Sequence, residues 1–446
     1  MSLGGERRTG SCALSQQLVV ERPDQGDDEG PPDPAAGLTT GGGSVASLRA
    51  MAHGEGALAR VREADVLGPV IVVAFVLAAF IGLRLHSYRG DPTGFVQFAR
   101  TGVSVIQPPP GAILRNDQGY DGALFWLQAH DPLLLRDRTV DRLNTARSEF
   151  RAVRMAYPSL VGGLSLGSDE VLPWTMLLLD VVVMLALTAG ASAFLRAEGR
   201  SGWWSIAIGL SPGLVLAMLR DLADPLATAA VLGGLMAWRK RRLDLATGLL
   251  TLAALAREPM AIAPVAVAID ALLSARRMDR ERMWNALRPA LPVILVPLLA
   301  FTGWYLYVTL RFHGVLPFST NPRGEFSFPF DGLVTAVRSE SHHPAFEAAW
   351  GLAYLGLVLA ALAAVVRLLG RSRNPLSLTA LLFAVAVCLE TYAGDKWTYT
   401  RQSVPLMTVL GVAGLVQRQR LATFVAVAGA CLTLLAPIAF RASAGA

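Results

Sequence analysis

The stretch "VLGPVIVVAFVLAAFIGLRL", residues 66–85, carries one charged side chain, Arg84. A helix of about 20 apolar residues is long enough to cross the hydrocarbon core of a bilayer. Similar apolar runs recur along the 446 residues, of which 53% are hydrophobic and 17% are charged. A soluble domain of ordinary composition carries about 25% charged residues. We therefore predict an all-α, polytopic membrane helical bundle.

The apolar runs predict eleven membrane spans. They cover residues 66–85, 171–195, 203–219, 222–238, 244–256, 259–274, 289–310, 347–369, 376–392, 402–416 and 421–439. Several are short, as half-broken helices inside a bundle can be. The segment "MAYPSLVGGLSLG", residues 155–167, is too short to cross alone, so we interpret it as re-entrant or interfacial.

Residues 1–60 are rich in Gly, Pro and charge, and they predict a disordered cytoplasmic tail. Within this region and just beyond it, residues 46–65 are compatible with a short amphipathic helix on the membrane or with a solvated linker. Residues 61–446 then form one membrane-embedded domain. The three cysteines are too few and too scattered for a disulfide framework or a metal motif.

Arginine and lysine concentrate in alternate loops, at residues 239–242, 275–288, 367–373 and 417–420. Such loops face the cytoplasm, which places the N-terminus inside and explains the net charge of +6 without a nucleic-acid partner. The remaining loops then face outward: residues 86–155, 220–225, 257–259, 311–346 and 390–401. The first and fourth are the two large outer loops.

The first outer loop contains "GYDGALFWLQAHDP", residues 119–132. Its acid, aromatic and small residue at positions i, i+4 and i+8 share one face of a helix. The same spacing occurs twice, as Asp91, Phe95 and Ala99 and as Asp121, Phe125 and Ala129. The spacing predicts amphipathic helices that lie on the membrane surface with the acid at the N-terminal end. A purely structural N-cap aspartate is the alternative at either site.

The pattern Asp-x-x-x-aromatic-x-x-x-Ala, in the first outer loop, resembles the GT-C superfamily of membrane glycosyltransferases. The likeness is closer to bacterial GT-C-like proteins in which a "GYDG…DP" stretch precedes a Tyr-Pro segment, here "FRAVRMAYPSLVGGLSLG" at 150–167. Residues 211–235 and 253–265 are similar to the middle of that group. The resemblance covers most of residues 66–275, and Ala123 and Leu124 depart from its usual polar and aromatic residues.

The resemblance implies an enzyme of the bacterial plasma membrane. It would transfer a sugar from a polyprenyl-phosphate donor in the membrane lipid to a glycan, lipid or protein acceptor on the outer face. Asp121 is the implied general base and Asp91 its rival, with Arg257 and Arg401 on the donor phosphate. Further implied substrate-binding residues are Tyr120, Arg151, Arg154, Arg220, Asp224 and Glu258. No cofactor is implied with certainty, and a divalent metal between the two aspartates stays open.

Other interpretations fit parts of this sequence. A transporter or flippase for a lipid-linked or polar substrate would also be polytopic, although no internal repeat is evident. A noncatalytic GT-C-like scaffold in envelope polymer assembly is a third class, because fold does not fix function. At residue level, Arg257 and Glu258 are compatible with a structural ion pair. Asp221 and Asp224 are compatible with caps of the helix that follows them.

Overall fold

The computed structural model of the chain describes residues 44–100, 103–115, 119–146, 149–276, 278–317, 328–340, 344–371, 374–389 and 396–439. Within these ranges the chain is almost entirely helical, with one pair of two-residue strands. Residues 1–43 of the predicted tail lie outside the described residues. Residues 44–60 of the predicted tail belong to the first helix.

The first part of the described chain contains one long helix followed by short elements. These are α1 Ser44–Ser87, α2 Thr93–Val96, β1 Phe98–Ala99, α3 Val103–Ile106, β2 Leu114–Arg115, α4 Asp121–Ala129, α5 Asp137–Thr145, α6 Glu149–Ala152 and α7 Ala156–Ser165. The strands β1 and β2 are parallel, and Phe98 pairs with Leu114.

The second part forms most of the bundle. Its helices are α8 Leu172–Ala197, α9 Ser205–Gly209, α10 Pro212–Met218, α11 Asp224–Arg239, α12 Leu243–Ala256, α13 Ile262–Ala275, α14 Arg280–Leu287, α15 Ala290–Arg311, α16 Asp331–Glu340, α17 Ala345–Leu369, α18 Pro375–Leu389, α19 Lys396–Gln402, α20 Val404–Val416 and α21 Arg420–Ala439. Two 3₁₀ turns precede α9 and α13, at Gly202–Trp204 and Glu258–Ala261.

Six helical segments of the described residues are long and apolar enough to cross a membrane. They are Ala64–Ser87, Leu172–Ala197, Glu258–Ala275, Ala290–Arg311, Ala345–Leu369 and Arg420–Pro437. Shorter apolar helices occupy Leu243–Ala256, Pro375–Leu389 and Val404–Val416. The protein is thus an all-α membrane bundle.

The predicted span 203–219 is not one helix. The chain breaks at Ser211 because Pro212, at the start of α10, favours extended backbone in the residue before it. The predicted span 66–85 is the last part of the longer helix α1, and 259–274 begins in a 3₁₀ turn. The other predicted spans coincide with single helices to within a few residues, although residues 390–392 of span 376–392 lie outside the described residues. The segment 155–167 forms the short helix α7.

The helices of the bundle pack closely where one of the two contacting residues is small. Helix α11 packs along α12 and α8, and α17 packs along α21. A Cβ on Gly234 of α11 would overlap the side chain of Leu250 of α12, so glycine permits this approach.

The two predicted surface helices of the first loop differ from expectation. All nine residues of α4 are buried, so α4 is a core element rather than an amphipathic surface helix. Helix α2 ends at Val96, the next residue Gln97 has a left-handed φ of 64°, and Ala99 lies in β1. Asp91, Phe95 and Ala99 therefore share no helix face. Helix α5 is the amphipathic helix of this loop, with Val140 and Leu143 on its buried side.

Candidate functional site

Four of the predicted outer segments meet at one end of the bundle. Asp121 comes from residues 86–155, Asp224 from 220–225, Glu258 from 257–259 and Arg401 from 390–401. Their side chains join in a network that we call the arginine–carboxylate cluster. Its members are Asp121, Arg151, Arg154, Asp224, Arg257, Glu258 and Arg401.

Asp121, the first residue of α4, is held by three guanidinium groups. Its Oδ1 pairs with Nε of Arg151, while its Oδ2 lies 3.1 Å from Nη1 of Arg154 and 2.8 Å from Nη1 of Arg401. Burial alone would raise the pKa of Asp121, but Arg151, Arg401 and Arg154 outweigh it and hold that pKa well below its ordinary value. Asp121 is therefore ionised at any physiological pH.

Arg154 links Asp121 to Glu258. Its Nε donates to Oε2 of Glu258 at 2.8 Å and its Nη2 donates to Oε1 at 2.5 Å, a bidentate arrangement. Two parallel charge-assisted bonds fix orientation as well as charge. The side chain of Arg154 is 7% exposed, so this arginine is a buried structural centre of the cluster.

Asp224 anchors the other half of the cluster. It pairs with Nη1 of Arg257 and lies 3.1 Å from Nε of Arg401. Asp224 is the first residue of α11, and neither it nor Asp221 caps that helix, because Ala223 holds the N-cap position without a side-chain bond. Arg257 lies in extended backbone between α12 and the following 3₁₀ turn.

Tyr120 adds an aromatic surface beside the cluster. The guanidinium of Arg220 lies 4.3 Å from the centre of the Tyr120 ring, and that of Arg401 lies 5.7 Å from it. Arginine over a tyrosine ring is a favourable cation–π arrangement. Every arginine that the sequence singled out therefore lies in this cluster or on its tyrosine.

The two glycines of the "GYDG" stretch are each favoured for a different structural reason. Gly119 has a φ of 72°, a left-handed conformation that glycine adopts without strain. A Cβ on Gly122 would lie 2.6 Å from the carbonyl oxygen of Arg220 and 2.8 Å from that of Val96. Because glycine has no Cβ, α4 can lie directly against the backbone of Arg220 and Val96.

Helix α19 presents Arg401, and residues that sequence reasoning missed hold it in place. The hydroxyl of Tyr399 donates to Oε1 of Glu340 at 3.1 Å, and the hydroxyl of Tyr354 donates to the carbonyl oxygen of Thr400 at 3.3 Å. Glu340 lies in α16, within the second large outer loop. Residues 318–327 and 341–343 of that loop lie outside the described residues. Nothing in the sequence pattern of α16 distinguished Glu340 from an ordinary surface acid.

Asp91 has a different environment from Asp121. Its Oδ1 accepts a hydrogen bond from the backbone N–H of Thr93 at 2.9 Å, and it is half-buried. No ion pair of Asp91 occurs among the described residues. Its segment still borders the site, because Tyr120 donates its backbone N–H to the carbonyl oxygen of Gln97 at 3.2 Å.

A divalent metal between Asp91 and Asp121 does not fit this arrangement. Both oxygens of Asp121 already face guanidinium groups. In the part of the chain that the structure describes, no group of three or more His, Cys, Asp or Glu side chains is placed to hold a metal ion. We derive no chemistry through a metal.

Two buried acids beside the cluster have no guanidinium partner. Asp180 in α8 and Asp221 after α10 are fully buried, and among the described residues the carboxylate of Asp221 has no hydrogen-bond partner while Asp180 lies beside the hydroxyl of Tyr157. Burial raises the pKa of Asp221 well above its ordinary value. Asp180 interrupts an apolar run, "LLLDVVV", and an acid inside a span was a usable signal for it.

Comparisons with family models, with curated proteins and with solved structures found no significant match. The function is therefore inferred from the site.

Proposed function

We propose that this protein is a membrane glycosyltransferase of the GT-C kind. It transfers a sugar from a polyprenyl-phosphate donor to an acceptor in the bacterial cell envelope. The observation that carries the proposal is the excess of guanidinium groups in the buried cluster, where four arginines face three carboxylates. A buried excess of positive charge is costly unless an anion neutralises it.

A phosphate is the anion that suits this cluster. The planar fork of arginine matches phosphate oxygens bidentately. Arg401 is the central candidate because it reaches both Asp121 and Asp224, so a phosphate here would contact a group shared by both halves of the cluster. Arg151 is the most exposed of the four arginines, with 27% of its side chain accessible, which makes it a second contact for an entering phosphate.

The surroundings of the two candidate aspartates support different roles for them. A carboxylate held by three guanidinium groups binds a proton weakly, and general bases work best with a pKa near the working pH. Asp121 is therefore assigned to hold the arginines in position for the donor phosphate. Asp91, which has no guanidinium partner among the described residues, is assigned to accept the proton of the acceptor hydroxyl. This order reverses the one that the resemblance implied.

The orientation of the chain in the membrane is part of the same proposal. In it, eleven spans cross the plasma membrane, the N-terminus lies in the cytoplasm and the cluster faces outward. The joining of four predicted outer segments in one cluster supports a common side for them. The basic loops are expected in the cytoplasm, on the side of the membrane opposite to the cluster, because loops rich in Lys and Arg stay inside.

The test is transfer and binding with defined donors. The purified full-length chain is given a panel of radiolabelled polyprenyl-phosphate sugars together with a crude envelope acceptor fraction. Asp91→Asn is expected to retain donor binding and lose transfer by about 100-fold or more, the scale of general base catalysis. Arg401→Gln is expected to lose donor binding, and Asp121→Asn to weaken it.

Asp137→Asn is the matched control, because Asp137 is an exposed acid of the same loop and pairs only with Arg311 among the described residues. It should behave as wild type. The proposal is wrong if the wild type neither binds nor transfers any donor, or if Asp91→Asn and Arg401→Gln both transfer normally.

One observation favours a second class, a transporter of a lipid-linked or polar substrate. Asp180 is a buried acid inside a candidate membrane span, without an ion-pair partner among the described residues. Such residues often serve proton-coupled transport. Uptake or flipping in vesicles that is lost in Asp180→Asn, without any new glycosidic bond, would favour this class over the transferase.

A further inference from the structure

A second group of arginines lies at the opposite end of the bundle from the arginine–carboxylate cluster. Helix α11 begins at Asp224 in that cluster and ends at Arg239, whose Nη2 lies 2.9 Å from Oε1 of Glu198. The sixteen residues of α11 span about 24 Å at 1.5 Å per residue. Arg200, two residues beyond Glu198, is thus at the far end.

At this far end an open cavity of about 380 Å³ is lined by side chains from two separate parts of the chain. Arg200 comes from the turn after α8, and the others come from the junction of α20 and α21. The lining residues are Arg200, Arg418, Arg420, Thr423, Phe424 and Val427. We call this the far-end arginine cavity.

The three arginines of the cavity differ from their neighbours in how their charge is balanced. At the same end, Arg239 pairs with Glu198, and Arg196 lies 3.8 Å from a carboxylate oxygen of Asp65. No carboxylate pairs with Arg200, Arg418 or Arg420 within the described ranges, and the Nε of Arg200 is buried without a hydrogen-bond partner. Three uncompensated guanidinium groups around one cavity favour an anion there.

The rest of the cavity is apolar and belongs to a membrane span. Phe424 and Val427 lie one and two turns into α21, within the candidate span Arg420–Pro437, and Phe424 is 59% exposed. The cavity therefore places cationic groups at the end of the candidate span and accessible apolar side chains directly beside them. An anionic membrane phospholipid is complementary to this arrangement, because its anionic headgroup adjoins its apolar acyl chains.

We propose that the far-end arginine cavity binds the headgroup of an anionic membrane phospholipid. The phosphodiester contacts Arg200, Arg418 and Arg420, while an acyl chain lies against Phe424 and Val427. This site is separate from the candidate sugar-transfer site and does not depend on the proposed function. The positive-inside bias explains arginines in loops, but it does not explain why three from two junctions line one cavity without acid partners.

The test uses the full-length chain purified in a neutral detergent. Native mass spectrometry measures the binding of dioleoyl phosphatidylglycerol and of dioleoyl phosphatidylcholine, which has the same acyl chains. Wild type is expected to retain phosphatidylglycerol in preference to phosphatidylcholine. The triple variant Arg200→Gln, Arg418→Gln, Arg420→Gln is expected to weaken phosphatidylglycerol binding on the order of 100-fold, from the usual contribution of each basic residue.

Two further variants control for charge and folding. Arg276→Gln, Arg280→Gln, Arg288→Gln removes three exposed arginines of another basic loop and is expected to bind phosphatidylglycerol as wild type does. Replacing the three cavity arginines by lysine keeps the charge and is expected to retain most of the binding. Gel filtration of each variant reports its folding, and the single variants Arg200→Gln, Arg418→Gln and Arg420→Gln take the place of the triple variant if it aggregates.

Three results would overturn the proposal. The first is equal retention of phosphatidylglycerol by wild type and by the folded glutamine variants of the cavity arginines. The second is an equal loss in the other-loop control, which would indicate net charge rather than a site. The third is displacement of phosphatidylglycerol by millimolar inorganic phosphate alone, which would indicate a site for free anions instead of a lipid.

Discussion

The Nη1 atom of Arg401 lies 2.8 Å from Oδ2 of Asp121, which joins the last predicted outer loop to the first. The same guanidinium lies 3.1 Å from Asp224, so one side chain compensates two buried carboxylates. Removing one partner of a buried pair leaves the other charge unpaired, and this costs more than the pair itself contributes.

Arg401→Gln is therefore expected to lower the free energy of unfolding by about 3 kcal/mol. The measurement is denaturant unfolding in detergent, followed by tryptophan fluorescence. Combining it with Asp121→Asn should cost less than the sum of the two single changes, because the second change removes a carboxylate that has already lost one of its three guanidinium partners. Additive losses would contradict direct coupling between the two residues.

Gly122→Ala is expected to disrupt the cluster without touching any charged group. The new Cβ would overlap the carbonyl oxygens of Arg220 and Val96, and such overpacking costs about 1–3 kcal/mol. Gly163→Ala is the matched control, because Gly163 is an exposed helical glycine with no atom within 4 Å of an added Cβ. That control should be neutral or slightly stabilising, since alanine favours helix. Equal stability of the two variants would refute the close approach.

Acid should weaken the fold through Asp121. Its pKa is lowered in the folded state, so its contribution is present above the unfolded pKa of about 4 and is lost as the pH falls toward the folded pKa. Unfolding measured between pH 7 and pH 3 should show a steeper loss below pH 4 in wild type than in Asp121→Asn. Parallel curves for the two proteins would contradict this assignment.

Asp221 should produce the opposite pH dependence. Its folded pKa is raised, so its contribution is complete below the unfolded pKa of about 4 and declines as the pH rises toward the folded pKa. Asp221→Asn removes this decline, and asparagine also tolerates the left-handed φ of 50° at this position. At pH 8 the variant should be at least as stable as wild type. A less stable variant would show that Asp221 is ionised and paired in the fold.

Membrane sidedness can be tested directly with single cysteines. Cys12, Cys388 and Cys431 are first replaced by serine, and then Asp137→Cys or Arg280→Cys is introduced, both at exposed positions. A membrane-impermeant maleimide on intact cells should label residue 137 and not residue 280, because the predicted outer and basic loops face opposite sides. The reverse pattern would invert the whole topology.

Much of the bundle was predictable because apolar runs report helices directly. The residues of the cluster were also identifiable, since charges beside apolar runs are costly and conspicuous. Their mutual contacts were not predictable, because pairing between Asp121 and Arg401 depends on how distant helices pack. The burial of α4 was missed for the same reason, as its i, i+4, i+8 face gives no information on the other faces. The break at Ser211–Pro212 had a local signal in Pro212, but the long apolar run 203–219 favoured the prediction of a single span.

The cluster also constrains how the chain is made. Asp121 is synthesised long before Arg401, and translation at about 5–20 residues per second separates the two by many seconds. During that interval the carboxylate lacks one of its three guanidinium partners, and Asp224 lacks one of its two. The cluster can therefore form in full only after α19 has been synthesised, so a chain that terminates before α19 never assembles this site.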